Sequence, residues 1–264
     1  DNDTFDYRVT ALGNVVDGGA GTGDTITYSG AGDTFDFSLT TDNMGLEFGV
    51  YRNFENLAAS GATGAITAIA ASGGSSITTG TGVFVDTITL GAGNDTVVTD
   101  NGNDTVNATA ASLNAGDNVN AGLGSDTLAI TGGGAVTMGV TITNFEFVTL
   151  ASATTFTANT TDNLTITGSG SGIDIITTGN AATAQTVNAG SGNDIINVGG
   201  DGQLINGQNG NDTVVVDLMA RDITTLTLDG GNNSDTLAFT GGGTVNMAAL
   251  GTITSFENIS TGTD

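Results

Sequence analysis

The sequence predicts an all-β chain, a parallel β-helix or β-roll solenoid of irregular rungs. Three observations predict it. Hydrophobic residues make up 38% of the chain and fall in short runs of Val, Ile, Leu and Thr, the make-up of short strands. Forty-three glycines separate those runs and punctuate the chain with tight turns. Aspartate recurs at a fixed short interval, and self-similarity at a fixed period marks repeat architectures.

The strands are the Thr-rich alternating stretches, among them Ile26-Thr27-Tyr28, Thr87-Ile88-Thr89-Leu90, Leu164-Thr165-Ile166-Thr167 and Leu226-Thr227-Leu228. Alternation gives each one buried and one wet face. Helical signal is confined to residues 107–113 and 216–221, each about two turns at most.

Charge excludes several functions. The net charge is −25, with three basic residues (Arg8, Arg52 and Arg221) and no Lys, His, Cys, Pro or Trp. Nucleic-acid binding needs a basic patch, which three arginines cannot build, and an anionic membrane surface would repel the chain. The arginines are expected to pair with local carboxylates. No apolar run approaches the roughly 18 residues of a membrane helix, so no membrane insertion is expected. No signal-peptide pattern opens the sequence, so the chain is expected to be a processed product, a protein exported without a cleaved leader, or part of a longer one. The absence of His and Cys argues strongly against zinc, haem or iron–sulfur ligation and leaves no Ser-His triad. Paired carboxylates for glycoside hydrolysis exist everywhere, but aromatic platforms for sugar are scarce at 5% of residues. The chain is not expected to be an enzyme. The 24 Asp outnumber four Glu, and a short carboxylate in a turn can reach a multivalent cation held by backbone carbonyls.

The short period is nine residues. Asp24 and Asp33 form one pair, Asp86, Asp95 and Asp104 a run, and Asp117 and Asp126 another pair. Asp194 and Asp212 lie two periods apart, with Asp201 in the turn between them. The surrounding sequences agree: Gly91-Ala92-Gly93-Asn94-Asp95-Thr96-Val97-Val98, Asn101-Gly102-Asn103-Asp104-Thr105-Val106, Gly190-Ser191-Gly192-Asn193-Asp194-Ile195-Ile196 and Asn209-Gly210-Asn211-Asp212-Thr213-Val214-Val215. One such turn alone reads as an Asx-turn bonded to its own backbone. Repetition with glycines at matching offsets favours a metal, since packed carboxylates repel unless a cation lies between them.

These runs resemble the RTX nonapeptide repeat, Gly-Gly-x-Gly-x-Asp-x-U-x with U a large apolar residue, over about a third of the chain. The resemblance implies a parallel β-roll that folds around several Ca2+ ions. Asp24, Asp33, Asp86, Asp95, Asp104, Asp117, Asp126, Asp194, Asp201, Asp212 and Asp235 would supply carboxylates, and the turns of Gly91, Gly93, Gly190, Gly192 and Gly210 would supply carbonyls. The triplets holding Val97, Val106, Ile195 and Val214 would be strands with U in the core. Two departures stand out: the leading Gly-Gly is replaced, as in Gly91-Ala92 and Gly190-Ser191, and Asn precedes the Asp.

A longer repeat surrounds the short one. Residues 125–138 and 234–247 match closely and lead to Ile142-Thr143-Asn144-Phe145-Glu146 and Ile253-Thr254-Ser255-Phe256-Glu257. A degenerate copy runs from Gly23-Asp24 to Arg52-Asn53-Phe54-Glu55. The chain therefore reads as one array over 1–264, with units 24–125, 126–234 and 235–264, the last continuing into 1–23 of a neighbouring copy. The recurring Phe-Glu pairs admit two readings. They are either further calcium ligands or lattice contacts, or a core Phe beside a solvated or turn-bonding Glu. The latter is preferred.

The expected role is a structural cell-surface protein, a surface-layer or extracellular filament or sheath subunit whose folding and assembly depend on calcium. The alternative is a calcium-binding extender repeat of a large secreted adhesin. The resemblance implies type I export to the bacterial surface. The expected partners are copies of the chain, head to tail, and a cell-surface polysaccharide. An ice-binding face is disfavoured, because the Thr-x-Thr triplets at 87–89, 141–143, 165–167, 225–227 and 252–254 do not fall at one offset in consecutive rungs.

Overall fold

A computed structural model describes residues 2–7, 14–39, 49–179, 184–218, 223–242, 244–245 and 251–261. It is a nearly all-β parallel solenoid. The chain divides into two compact units, residues 1–128 with 141–145 and residues 129–140 with 146–264.

In the first unit the chain alternates between two parallel sheets. One holds Thr4–Tyr7, Thr25–Tyr28, Asn56–Ala58, Ser76–Thr78, Thr96–Val98, Asn118–Asn120 and Ile142–Thr143. The other includes Asp33–Asp36, Ile66–Ile69, Thr87–Thr89 and Thr105–Ala108. Asn14–Asp17 pairs with Gly49–Arg52 outside both. The second unit alternates in the same way. Gly134–Thr137, Thr154–Thr157, Ile175–Thr177, Ile195–Val198, Thr213–Asp217, Thr236–Thr240 and Asn258–Thr261 form one sheet, and Phe147–Leu150, Thr165–Thr167, Thr186–Asn188, Leu204–Asn206, Thr227–Asp229 and Thr252–Thr254 lie in another.

Register explains the core. Val97 aligns with Ile77 and Val119, and Val214 with Ile196 and Leu237, and all six are 0% exposed. Each such side chain is worth about 1.5–3 kcal/mol of apolar burial, so a three-residue strand is held by its single inward residue and its neighbours above and below. Because the preceding Asp also points inward, the core residue falls two places later. Hence Ile196, not Ile195, is the core residue after Asp194; Ile195 is half-buried.

Residues 107–113 do not form a helix. Residues 107–108 belong to the strand Thr105–Ala108, and Ser112 and Leu113 donate N–H to the Thr109 carbonyl in one isolated turn. Of residues 216–221, Val216 and Asp217 end the strand Thr213–Asp217, and 219–222 lie outside the described residues. The nearest helical structure is a 3-10 turn at Ile223–Thr225. Among the described residues no helix is long and apolar enough to cross a membrane.

Candidate functional site: columns of buried carboxylates

The residue at or just before the start of each strand sits at a corner of the solenoid, and corner residues of successive turns stack. In the first unit one column runs Asp3, Asp24, Glu55, Ser75, Asp95, Asp117, and a second runs Asp33, Ile66, Asp86, Asp104, Asp126. In the second unit a column runs Thr154, Asp174, Asp194, Asp212, Asp235, Glu257. Asp24, Asp86, Asp95, Asp104, Asp117, Asp126, Asp174, Asp194, Asp212 and Asp235 are each 0–2% exposed.

One hydrogen bond recurs through every column. The N–H of a corner residue donates to the Oδ1 of the corner Asp one turn later: Ile66 to Asp86, Asp86 to Asp104 and Asp104 to Asp126 at 2.7 Å each. Ser75 donates to Asp95 and Asp95 to Asp117 at 2.8 Å. Thr154 donates to Asp174 at 2.7 Å, Asp174 to Asp194 and Asp194 to Asp212 at 2.8 Å, and Asp212 to Asp235 at 2.7 Å. The partners are 18 to 23 residues apart, so the aspartates brace neighbouring turns instead of folding back into local Asx-turns.

The Asn before the Asp braces the other way. Asn193 Oδ1 accepts the Asn211 N–H, Asn211 Oδ1 that of Ser234, and Asn103 Oδ1 that of Ser125, each from the next turn. The Asn-Asp pair thus grips the turns on both sides, a structural reason for a residue the nonapeptide pattern does not require.

The second carboxylate oxygen divides the aspartates into two groups. Asp95 Oδ2 accepts the Gly91 N–H, Asp117 Oδ2 that of Asn114, and Asp174 Oδ2 both the N–H and the hydroxyl of Ser169. These carboxylates are closed. The Oδ2 atoms of Asp24, Asp104, Asp194, Asp212 and Asp235 are buried without a hydrogen-bond partner. Turn chemistry accounts for the difference along the Asp194–Asp235 column. There the turn backbones bond to one another, Gly192 N–H to Asn209 O, Asn209 N–H to Gly190 O, and Gly210 N–H to Asn232 O, and no turn N–H reaches back to Oδ2.

The glycines permit that stacking. A Cβ on Gly210, at φ +135°, would lie 1.4 Å from Gly192 O, and one on Gly192 would lie 1.8 Å from Gly172 O. Gly91, Gly93 and Gly190 face the backbone of the adjoining turn at 2.1–2.2 Å in the same sense. Gly207 faces Gly230 O at 2.3 Å and Asp212 Oδ2 at 2.5 Å, so an open carboxylate oxygen and a carbonyl flank one point.

Burial raises Asp95, Asp104, Asp194 and Asp212 from 3.8 to about 6, and neighbouring column carboxylates raise each further. Burial also raises Asp86 and Asp235. An unpaired buried oxygen costs about 1–3 kcal/mol, more when charged. A proton or a hard cation removes that cost, and an oxygen-only donor set suits calcium more than a transition metal. Among the described residues no three carboxylates gather into one cluster; within a column they stack one per turn.

Of the other expected ligands, Asp33 is half-buried at the start of its column, with Oδ1 on the Thr34 N–H. Asp201 is exposed. Two residues on, Gln203 takes the corner, buried, and accepts the Gln185 N–H through Oε1 at 3.1 Å. Asp174, 20 residues before Asp194, escapes a nine-residue search; Gln185 and Gln203 sit nine residues either side of Asp194 but are passed over by a search for Asp. Arg52 pairs with Asp17 at 2.8 Å at the surface, and the Asn53 amide, then Arg52, hold the Asp17 carboxyl below its ordinary range. Arg8 and Arg221 lie outside the described residues.

Two of the three Phe-Glu pairs contribute their Glu to the columns. Phe54 and Phe145 are buried at 2% and 1% exposure. Glu55 Oε2 accepts the Asp24 N–H at 3.1 Å, and Glu257 Oε2 accepts that of Asp235 at 2.8 Å. The geometry defines a parallel β-solenoid with carboxylate-lined corners. No protein-family model and no curated protein matches the chain.

Proposed function

We propose that this protein is a calcium-stabilised structural solenoid that works outside the cell as a subunit of a surface layer or extracellular filament. The observation that carries the reading is the set of five buried carboxylate oxygens without partners at Asp24, Asp104, Asp194, Asp212 and Asp235. A fold that stacks acid on acid at about 4.8 Å per turn needs a counter-charge inside the stack, and three arginines cannot supply it. Extracellular calcium can, and folding is then linked to metal binding.

Assembly of copies of the chain, head to tail, is part of this proposal. A polysaccharide partner would meet amides and hydroxyls in a cleft of about 380 Å³ lined by Asn206, Asn209, Asp229, Asn232 and Ser255.

Electron microscopy of the purified chain with calcium and after chelation, with circular dichroism on the same samples, tests the reading. Ordered filaments or sheets that dissolve and unfold on chelation are expected. A calcium-folded monomer would support the adhesin-extender role, and a fold indifferent to chelation would remove the calcium reading.

A further inference from the structure

The long repeat carries a feature outside the nonapeptide turns. Each Phe-Glu pair follows a residue in the left-handed region: Asn53 at φ 58°, Asn144 at 64° and Ser255 at 56°. A non-glycine residue seldom adopts this conformation, and here it recurs at one place in all three copies. The effect is visible at the two copies that lie within a single unit. It turns the carbonyl of that residue toward the corner Asp of the preceding turn.

The point a Cβ on Gly230 would fill lies 2.1 Å from Ser255 O, 2.7 Å from Asp235 Cβ and 2.9 Å from Asp235 Oδ2, and the corresponding point at Gly18 lies 2.3 Å from Asn53 O and 2.8 and 3.1 Å from Asp24 Cβ and Cγ, so each carbonyl stands beside its Asp side chain. The Glu of the pair lies against the same Asp, hydrogen-bonded to its N–H. Both aspartates are 0% exposed, and both Oδ2 atoms have no hydrogen-bond partner. Burial raises Glu55 and Asp235, and the charge of each one's partner raises it further. Glu55 also lines a cleft of about 270 Å³ with Gly21, Thr22 and Ser38, which gives an ion a way in.

We infer that Asp24 with Glu55 and the Asn53 carbonyl, and Asp235 with Glu257 and the Ser255 carbonyl, form a second kind of calcium site, distinct from the nonapeptide turns. The inference rests on the calcium reading above and deepens it. The donor set is two carboxylates and a backbone carbonyl, oxygen throughout, the chemistry of a hard cation. Glu55 and Glu257 take corners that Asp fills elsewhere in the columns: Oε2 caps the Asp N–H while the carboxylate brings charge beside the open Oδ2. Each site fastens the strand after the Phe-Glu pair to the strand one turn before.

Equilibrium dialysis of the full chain against calcium, with Glu55→Gln and Glu257→Gln beside the native protein, tests this. Gln keeps an oxygen for the N–H bond and removes only the charge. Each variant is expected to bind one calcium ion fewer than the native chain while keeping its far-UV spectrum in calcium. A variant that loses that spectrum is replaced by Asp24→Asn or Asp235→Asn, which disarms the same site from its other side. Native stoichiometry and affinity in the variants would overturn the inference and leave the calcium reading standing. A native chain that binds no calcium would overturn both.

Discussion

Asp212→Asn separates the two jobs of a column aspartate. Asp212 Oδ1 holds the Asp194 N–H at 2.8 Å, and its own N–H is held by Asp235 Oδ1 at 2.7 Å. Asn keeps an oxygen for the first bond and leaves the second untouched. It replaces the open, charged Oδ2 with an NH2 group near the Gly230 carbonyl, which flanks the same point at Gly207. Burial, and then the charge of Asp235, lift Asp212 from 3.8 to about 6. At about 1.4 kcal/mol per pH unit, holding that charge in the folded chain above pH 6 costs at most about 3 kcal/mol. Titration shared along the column and residual solvent screening reduce this to roughly 1–1.5 kcal/mol. In chelator at pH 8 the variant is therefore more stable than the native chain by that amount, a rise of roughly 0.5 M in the urea midpoint. In millimolar calcium the sign reverses, because the variant has lost a ligand. Urea titrations of both proteins, each with calcium and with chelator, read the two signs. An effect of the same sign in both conditions would refute the argument.

Three further outcomes follow from the same geometry. Asp104 and Asp194 also sit near 6, so the folded chain holds their protons more tightly than the unfolded chain does. The stability they contribute is full below about pH 4 and is lost as pH rises through 6. Thermal midpoints in chelator should therefore fall between pH 5 and pH 7, and calcium should flatten the curve; a midpoint that rises with pH in chelator would contradict this. Gly210→Ala, with 1.4 Å to Gly192 O and φ +135°, should destabilise by more than about 2 kcal/mol in urea titration, whereas Gly132→Ala, with no atom within 4 Å of its Cβ, should be close to neutral. Asn211→Ala removes the acceptor for the Ser234 N–H and should cost about 1 kcal/mol, read by the same titration and by faster hydrogen exchange at Ser234.

The parallel all-β solenoid and the inward face of its strands were legible in the sequence, because a period-two pattern repeats at Val97, Val106 and Val214 and each is 0% exposed. Column membership was less so. It depends on register between turns of 18 to 23 residues, and a fixed count of nine keeps step only where a turn is 18 long, as from Asp86 to Asp104 and from Asp194 to Asp212. In the latter turn the ninth position is Gln203, and Asp201, two residues earlier, is exposed. Asp174, 20 residues before Asp194, falls off the grid entirely. The sequence also could not separate closed from open carboxylates. Asp95 and Asp104 share Gly-Asn-Asp-Thr-Val, yet Gly91 closes the first, while the turn before the second is drawn into the pairing of Asn101–Gly102 with Leu123–Gly124. The sequence favours a core Phe beside a solvated or turn-bonding Glu; Phe54 and Phe145 are buried, whereas Phe256 is half-buried. The reach of Glu55 and Glu257 to Asp24 and Asp235 was not visible, since the partners lie 31 and 22 residues apart.

The most direct test of the central claim is a crystal structure grown in calcium, with anomalous scattering used to locate the ions. The account predicts peaks about 2.3–2.6 Å from the Oδ2 atoms of Asp104, Asp194 and Asp212, and none on the closed carboxylates of Asp95 and Asp174. Crystals in saturating calcium with no peak at those open oxygens, or with the ions on the closed carboxylates instead, would contradict it.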